Sequence, residues 1–429
     1  LSVWYTLREW EKLPCGDGVG EIPHRHAAQL ATLAESSLFA GKSGGGVLNH
    51  GWRALGARDV VGILATKECT LEILPKISVA SVGNVAVENA EIRKRLVHML
   101  AVALDMRIDV GAFTDIQWQQ QTLLEILVRI FCDKLTAAVR NGMPRRYIDD
   151  TGDLRVLRGT LDTVRQFTRH AANPSRLSCR FDSLSEDIVL NQIMKATVLH
   201  LARLTRSSDN QQRLRELAFV YADVTEIRSS DLKWNSIVLD RTNSRWRELL
   251  NLAQLFLSNR FQTTTQGTGQ GTALLFGMNE LFEEYIGRMI VRAAAGGDAT
   301  VTLQGGRRFC LTSVDDGAQL FQTKPDILVR RGSAITHVID TKWKRISAKM
   351  SDPKRGVSQS DVYQMMAYGQ LYRTPRLTLL YPHHAGLADG EGIHERHRIS
   401  GHETILETAT IDVARGAGMV DRLRVLLSS

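Results

Sequence analysis

Cysteine is scarce and scattered in this sequence. Cys15, Cys69, Cys132, Cys179 and Cys310 form no CxxC pair, which argues against a zinc ribbon, a redox dithiol or a disulfide framework. Long apolar runs are missing too. The longest candidate, residues 123–132, is broken by Glu125 and Arg129, short of the ~18 uninterrupted apolar residues of a membrane span. The opening residues LSVWYTLREWEKLP lack a basic head, an apolar run and a cleavage pattern, so no secretory signal is read there. There is no internal repeat and no long low-complexity tract. These absences predict a soluble protein of the cell interior with no membrane partner.

Several familiar motifs are also incomplete. AGKSGGG (40–46) has Ser36 where a Walker A loop needs its first glycine, so a phosphate cradle is not expected. The glycines of GTGQG (267–271) lack the upstream strand of a dinucleotide fold. No GxSxG elbow is present for a serine hydrolase. His24 and His26 in PHRH, and His394 and His397 in HERH, have no cysteine or carboxylate at zinc spacing. His383-His384 reads as a loop at a strand end.

What is present is ordinary globular material with a basic bias. The 429 residues are 43% hydrophobic and 23% charged, with 54 Lys+Arg against 46 Asp+Glu and a net charge of +8. That composition excludes wholesale disorder, and the length suggests two or three domains. Arginine makes up 41 of the 54 cations. Arginine forks suit phosphate recognition, although a genome-wide compositional bias gives the same ratio.

The pattern along the chain is mixed. Residues 60–63 and 70–74 read as strands around a polar turn at Lys67-Glu68, and GKSGGG (41–46) as a loop or hairpin tip. Residues 87–140 turn helical, with Leu123, Leu124, Leu127, Ile130 and Phe131 at helical spacing. After the breaker NGMPRRYIDDTGD (141–153), helices are expected at 191–204, 210–223 and 244–258, and a linker at 262–272. Then the order changes: a helix over 279–295, strands at 299–303, 308–313, 326–330 and 337–340, a helix at 358–372, and a strand at 377–381. This describes an α/β (α+β) domain with a partly antiparallel sheet.

The strongest chemical signal lies there. Asp326 opens the run ILVR and Asp340 closes the run HVID. If the runs pair as neighbours, both carboxylates project near one end of the sheet, where a hard cation such as Mg²⁺ relieves their repulsion. Lys342 lies on the same face as Asp340 by strand alternation. Its ammonium there could orient a water or stabilise charge on a phosphodiester in flight. In MNELFEEYIGRMI (278–290), Glu280, Glu283 and Glu284 compete to supply a third ligand, and Glu283 is favoured. In DVYQMMAYGQLY (361–372), Gln364 and Tyr368 share a helical face and could steady Lys342 or phosphate.

PD…DTKWK, preceded by MNELFEEY and followed by QMMAY, resembles the PD-(D/E)xK nuclease core, and Gln364-x-x-x-Tyr368 is similar to its RecB-like branch. More narrowly, LLFGMNELFEEY (274–285), KPDILV (324–329), DTKWK (340–344), YQMMAY (363–368), VGILATKECTLEILPKI (61–77), LRGTLD (157–162) and CRFDSLSEDIVLNQIMKA (179–196) resemble the McrC family. McrC is the nuclease subunit of the modification-dependent McrBC restriction systems. LEILPKI is the piece that separates it from nucleases in general.

The resemblance implies a prokaryotic, cytoplasmic endodeoxyribonuclease using Mg²⁺ or Mn²⁺. Asp326 and Asp340 would be metal ligands, Thr341 would lend its backbone carbonyl, and Lys342 would be the catalytic lysine. It implies an N-terminal mixed α/β region, residues 1–158, docked on a McrB-like AAA+ GTPase hexamer that binds GTP and finds modified cytosine in double-stranded DNA. Residues 159–429 would form the endonuclease lobe, with a helical segment at about 183–260 and a catalytic core at about 272–385. Cutting both strands would need two copies. Two other readings remain at this stage: a RecB-like repair or recombination nuclease, and a non-cleaving activator of a partner NTPase.

Overall fold

Two nearly all-apolar runs build the centre of the first sheet. In a computed structural model of the protein, residues 3–35, 47–77, 84–106, 114–170, 175–241, 243–257, 271–347, 356–387 and 389–428 are described. The chain starts with β1 (Val3–Arg8), β2 (Lys12–Pro14), α1 (His24–Glu35), β3 (Leu48–His50), β4 (Ala54–Ala57), β5 (Val60–Thr66) and β6 (Cys69–Leu74). Every residue of β6 is buried, as are all but one of β5, the pattern of strands covered on both faces. Then come α2 (Val85–Ala103), α3 (Asp115–Gln120) and α4 (Leu123–Arg140). Asn84 caps α2 by accepting from the amide of Ala86 at 2.9 Å.

The middle of the chain comprises β7 (Arg146–Leu154), β8 (Thr160–Leu161), α5 (Thr163–Arg169), β9 (Leu177–Ser185), α6 (Val189–Leu204), α7 (Ser208–Val220) and α8 (Arg247–Leu257). It continues with β10 (Gly271–Gly277), α9 (Met278–Ala294), β11 (Ala299–Leu303), β12 (Phe309–Thr312), β13 (Gln319–Gln322), β14 (Ile327–Arg331) and β15 (Ala334–Thr341). The last elements are α10 (Gln359–Tyr372), β16 (Arg376–Pro382), β17 (Gly392–Arg398), β18 (Ile405–Ile411) and α11 (Met419–Ser428). The expected glycine loop at 41–46, and residues 262–270 of the expected linker with most of GTGQG, lie outside the described residues.

By packing, the chain divides into residues 1–126 with 259–429, and residues 127–258. This differs from the expected cut at residue 158. The reason is β10, which returns to pair antiparallel with β5, Leu274 opposite Ile63, and completes a sheet of order β1-β6-β5-β10. Gly62 permits the pairing. Its φ is +132°, and a Cβ there would stand 2.0 Å from the carbonyl oxygen of Leu274.

The first unit also holds the six-stranded sheet β11-β14-β15-β16-β18-β17. β14 runs antiparallel to β15, β15 parallel to β16, and α10 is the crossover between those parallel strands. Its core gathers Leu328, Val338, Met365, Tyr368, Leu377 and Leu379. This sheet continues past the expected end near 385, because β18 lies beside β16. β18 escaped notice in the sequence because ILETATI carries Glu407, Thr408 and Thr410, all buried here.

The second unit contains the sheet β7-β9-β8 and the helices α5 to α8. Helix α5 buries none of its residues. Trp246, Phe256 and Leu201 are core residues of this unit, and Phe131 meets Phe256 edge-on at 6.1 Å.

Candidate active site

The antiparallel register sets Ile327 opposite Ile339. Asp326, one residue before β14, therefore faces Asp340 across the ladder at the end of the sheet. The amide and hydroxyl of Thr341 both donate to Asp326 Oδ2, at 2.7 and 2.9 Å. Lys342 Nζ forms an ion pair with Asp340 Oδ2 at 2.5 Å and donates to Gln364 Oε1 at 3.3 Å. Gln364 Nε2 in turn donates to the Tyr368 hydroxyl at 2.8 Å.

Helix α9 brings the third acid. Glu283 stands within hydrogen-bonding reach of Asp326 and accepts from Gln304 Nε2 at 2.7 Å. Its competitors point elsewhere in function: Glu284 is tied to Arg288 at 2.7 Å and Glu280 is exposed. The structure thus brings together Glu283, Asp326, Asp340, Thr341, Lys342, Gln364 and Tyr368.

The electrostatics are those of carboxylates short of positive charge. Burial, and then the neighbouring Glu283, push Asp326 up to about 6. Burial, and then Asp326, push Asp340 up to about 6. Burial also raises Glu283. Burial by itself would lower Lys342, but Asp340, Asp326 and Asp361 outweigh it and hold the ammonium above its ordinary value. Burial and the Asp340 charge raise Tyr368, so its phenol stays protonated.

Among the described residues, no three His, Cys, Asp or Glu side chains stand in ready metal-coordination geometry. The fit to a cation rests on donor chemistry. An all-oxygen set of crowded, desolvated carboxylates suits a hard divalent ion that keeps waters and accepts phosphate oxygens.

Two residues near the acids carry no signal in the sequence. Gln304, at φ +48°, donates its amide to the Asp326 carbonyl at 2.8 Å as well as its side chain to Glu283. Asp361, buried at the start of α10, holds Lys344 at 3.0 Å. The histidines serve packing and local bonding: His383 and His394 both bond Thr410, at 3.0 and 2.7 Å. His384 bonds the Ile346 carbonyl at 2.9 Å, His26 bonds Tyr5 at 3.0 Å, and His24 stacks on Trp52. His397 lies on Glu395 at 3.2 Å.

Residues 55–382 match the family model of the McrBC 5-methylcytosine restriction system component. The chain belongs to that McrBC family. Its fold is that of McrC in a half-complex from a tetradecameric assembly of Thermococcus gammatolerans McrB AAA+ hexamers with bound McrC. That match has a TM-score of 0.70 at 21% identity and covers 99% of each chain. A second match is to the cryo-EM structure of the Thermococcus gammatolerans McrBC complex, with a TM-score of 0.52 at 24% identity, over 68% of this chain and 88% of that one. No curated protein matches the chain.

Proposed function

We propose that this McrBC-family chain is the DNA-cleaving subunit of a modification-dependent restriction complex, a metal-dependent endodeoxyribonuclease that works docked on an AAA+ GTPase. The observation that carries this reading is the placement of Asp326 and Asp340 beside a lysine held by Gln364, with Glu283 next to the two acids. Asp326, Asp340, Glu283 and the backbone carbonyl of Thr341 would hold Mg²⁺ or Mn²⁺. Such an ion, when bound, supplies Lewis-acid polarisation of the phosphodiester and acidifies water.

The chain's own groups do the remaining work. Thr341 clamps the Asp326 carboxylate in one orientation. The Lys342 ammonium, kept charged by its acidic neighbours, orients the attacking water and offsets the charge that builds on the phosphoryl oxygens. Tyr368 fixes Gln364, and Gln364 accepts from Lys342, so the ammonium loses little freedom when substrate arrives.

The partner reading is supported by the family and by the Thermococcus gammatolerans relative, which is bound to McrB AAA+ hexamers. This chain would dock on such a hexamer and stimulate it, while the partner binds GTP and reads modified cytosine in double-stranded DNA. Two assembled copies would cut both strands. Ring contact is expected of residues 1–158, and we extend it through β9. Tyr147, Val156, Leu157, Phe167 and Leu184 are all at least half exposed between β7 and β9, an apolar concentration that suits a protein partner. No described helix is long and apolar enough to cross a membrane, which is compatible with the cytoplasm of a prokaryote.

The test is cleavage of methylated and unmethylated plasmid with Mg²⁺, using wild type and Lys342→Ala, each with and without the AAA+ partner and GTP. Cutting by wild type alone, on modified DNA only, with partner and GTP, is the expected result. Cutting of any DNA by the isolated chain would keep the nuclease and remove the restriction role. Raised GTP turnover without cutting would make the chain an activator.

A further inference from the structure

The residue after the candidate catalytic lysine is bound to the other end of the chain. Strand β15 ends at Thr341, so Lys342 to Arg345 lie beyond the regular ladder. Lys342 keeps one backbone bond to the sheet, its amide to the Leu380 carbonyl at 2.9 Å. The Trp343 indole turns away from the acids and is buried against Phe282, ring centroids 5.2 Å apart. Its Nε1 donates to Glu9 Oε2 at 2.8 Å.

Glu9 directly follows β1 and is itself held in place. Its amide donates to the Leu74 carbonyl at 2.9 Å, and its Oε2 also accepts from the Lys76 amide at 3.3 Å. Two further bonds bridge the same segments. Lys76 Nζ reaches the Trp343 carbonyl at 3.5 Å, and Arg345 donates to the Lys76 carbonyl at 2.8 Å. The Lys76 ammonium lies between two indoles, 5.2 Å from the Trp10 ring and 6.0 Å from that of Trp343. Trp10 adopts φ +67°, a conformation that a bulky residue holds only when its surroundings demand it.

We infer that Glu9 and Lys76 are positioning residues for Lys342: they clamp Trp343 from both its ring and its backbone, and so set where the neighbouring ammonium stands. The inference rests on the nuclease reading above and adds to it a role for the LEILPKI segment. A side chain beyond a strand end has several backbone conformations open to it. Clamping the next residue on both sides removes them, and a misplacement of about 1 Å at a reacting centre costs on the order of a hundredfold in rate. Because the clamp is built on β1 and β6, any shift of that sheet is transmitted to Lys342 through Trp343.

The experiment compares Trp343→Phe, Glu9→Ala, their double variant and Glu9→Gln in the full chain assembled with its AAA+ partner, GTP and Mg²⁺. Trp343→Phe removes the indole donor, keeps an aromatic ring beside Phe282 and loses some buried volume, for which Glu9→Ala, with Trp343 intact, is the control. Cleavage at saturating DNA is expected to slow by about tenfold or more in Trp343→Phe and Glu9→Ala. The DNA concentration for half-maximal rate and GTP turnover should stay unchanged. The double variant should be no slower than the slower single, since both break one contact, and Glu9→Gln, which keeps an acceptor, should recover most of the rate.

Hydrogen exchange provides a readout independent of cutting. Amides 342–346 should exchange faster in Trp343→Phe and Glu9→Ala than in wild type, with those of β16 unaltered. Unchanged exchange in both folded variants, or faster exchange with an undiminished cleavage rate, overturns the positioning role. If wild type cuts no better than Lys342→Ala, the nuclease reading falls, and the exchange result still decides whether the clamp exists.

Discussion

Gln304 reaches the acidic cluster through its backbone and its side chain together, yet nothing marks it in the sequence. Asp326, Asp340 and Lys342 were legible because a strand-flanked acid pair with a lysine two residues on is a pattern in one dimension. Gln304 acquires its place from the end of β11 beside β14. Gln304→Ala should weaken Mn²⁺ or Mg²⁺ binding by about tenfold, since partners that orient ligands contribute on that order; calorimetric titration of the metal checks it, and wild-type affinity would remove the residue from the site. Glu9 carries a second prediction. Burial pushes it up from its ordinary 4.5 to about 7, against the opposing pull of Lys76, while Asp59 adds to the rise. Between these values the folded chain holds a proton that the unfolded chain has released. Its contribution to stability is complete below about pH 4.5 and is lost as pH rises through 7. Glu9→Gln has no such loss, so it should gain on the order of 2–3 kcal/mol relative to wild type between pH 4.5 and 8. Denaturant melts across that range measure it, and parallel curves would refute it.

At the scale of elements, LEILPKI shows what periodicity reveals and what it hides. Its apolar run announced β6 correctly. Glu72, in the middle of it, is fully buried, which an apolar run does not announce. It accepts from Arg93 of α2 at 2.6 and 2.9 Å and from the Leu123 amide at the head of α4 at 2.9 Å. Arg93 also donates to the Trp118 carbonyl at the end of α3 and lies over Trp4. One ion pair thus ties one strand to three helices. Glu72→Ala should cost about 3–5 kcal/mol, because it strands a buried guanidinium; thermal unfolding reads this, and an unchanged melting temperature would mean the pair contributes nothing net. Helices α6, α8, α9 and α10 were legible within a few residues, the first three because each buries an apolar stripe. Strands β7, β9 and β18 were not. β7 is almost wholly exposed and β18 is rich in buried threonine, so neither follows a simple rule of inside and outside.

For the whole molecule, partner docking and domain order matter more than any local pattern. The exposed side chains between β7 and β9 predict a surface used by another protein. Replacing Tyr147 and Phe167, 70% and 74% exposed, together by aspartate should weaken association with the AAA+ partner by roughly a hundredfold, as loss of aromatic anchors commonly does. Sedimentation of the mixed proteins measures this, and undiminished assembly by the folded variant would move the interface elsewhere. The spacing of Asp326, Asp340 and Lys342 and most helices could be read from residue order, because each is a pattern within a short stretch of chain. The return of β10 to β5 and the clamp of Glu9 on Trp343 depend on residues hundreds of positions apart, and the burial of Glu72 on partners 21 and 51 positions away. Sequence separation carries no record of such contacts. They are decided only when the collapsed chain must pair every buried strand edge and every buried charge at once.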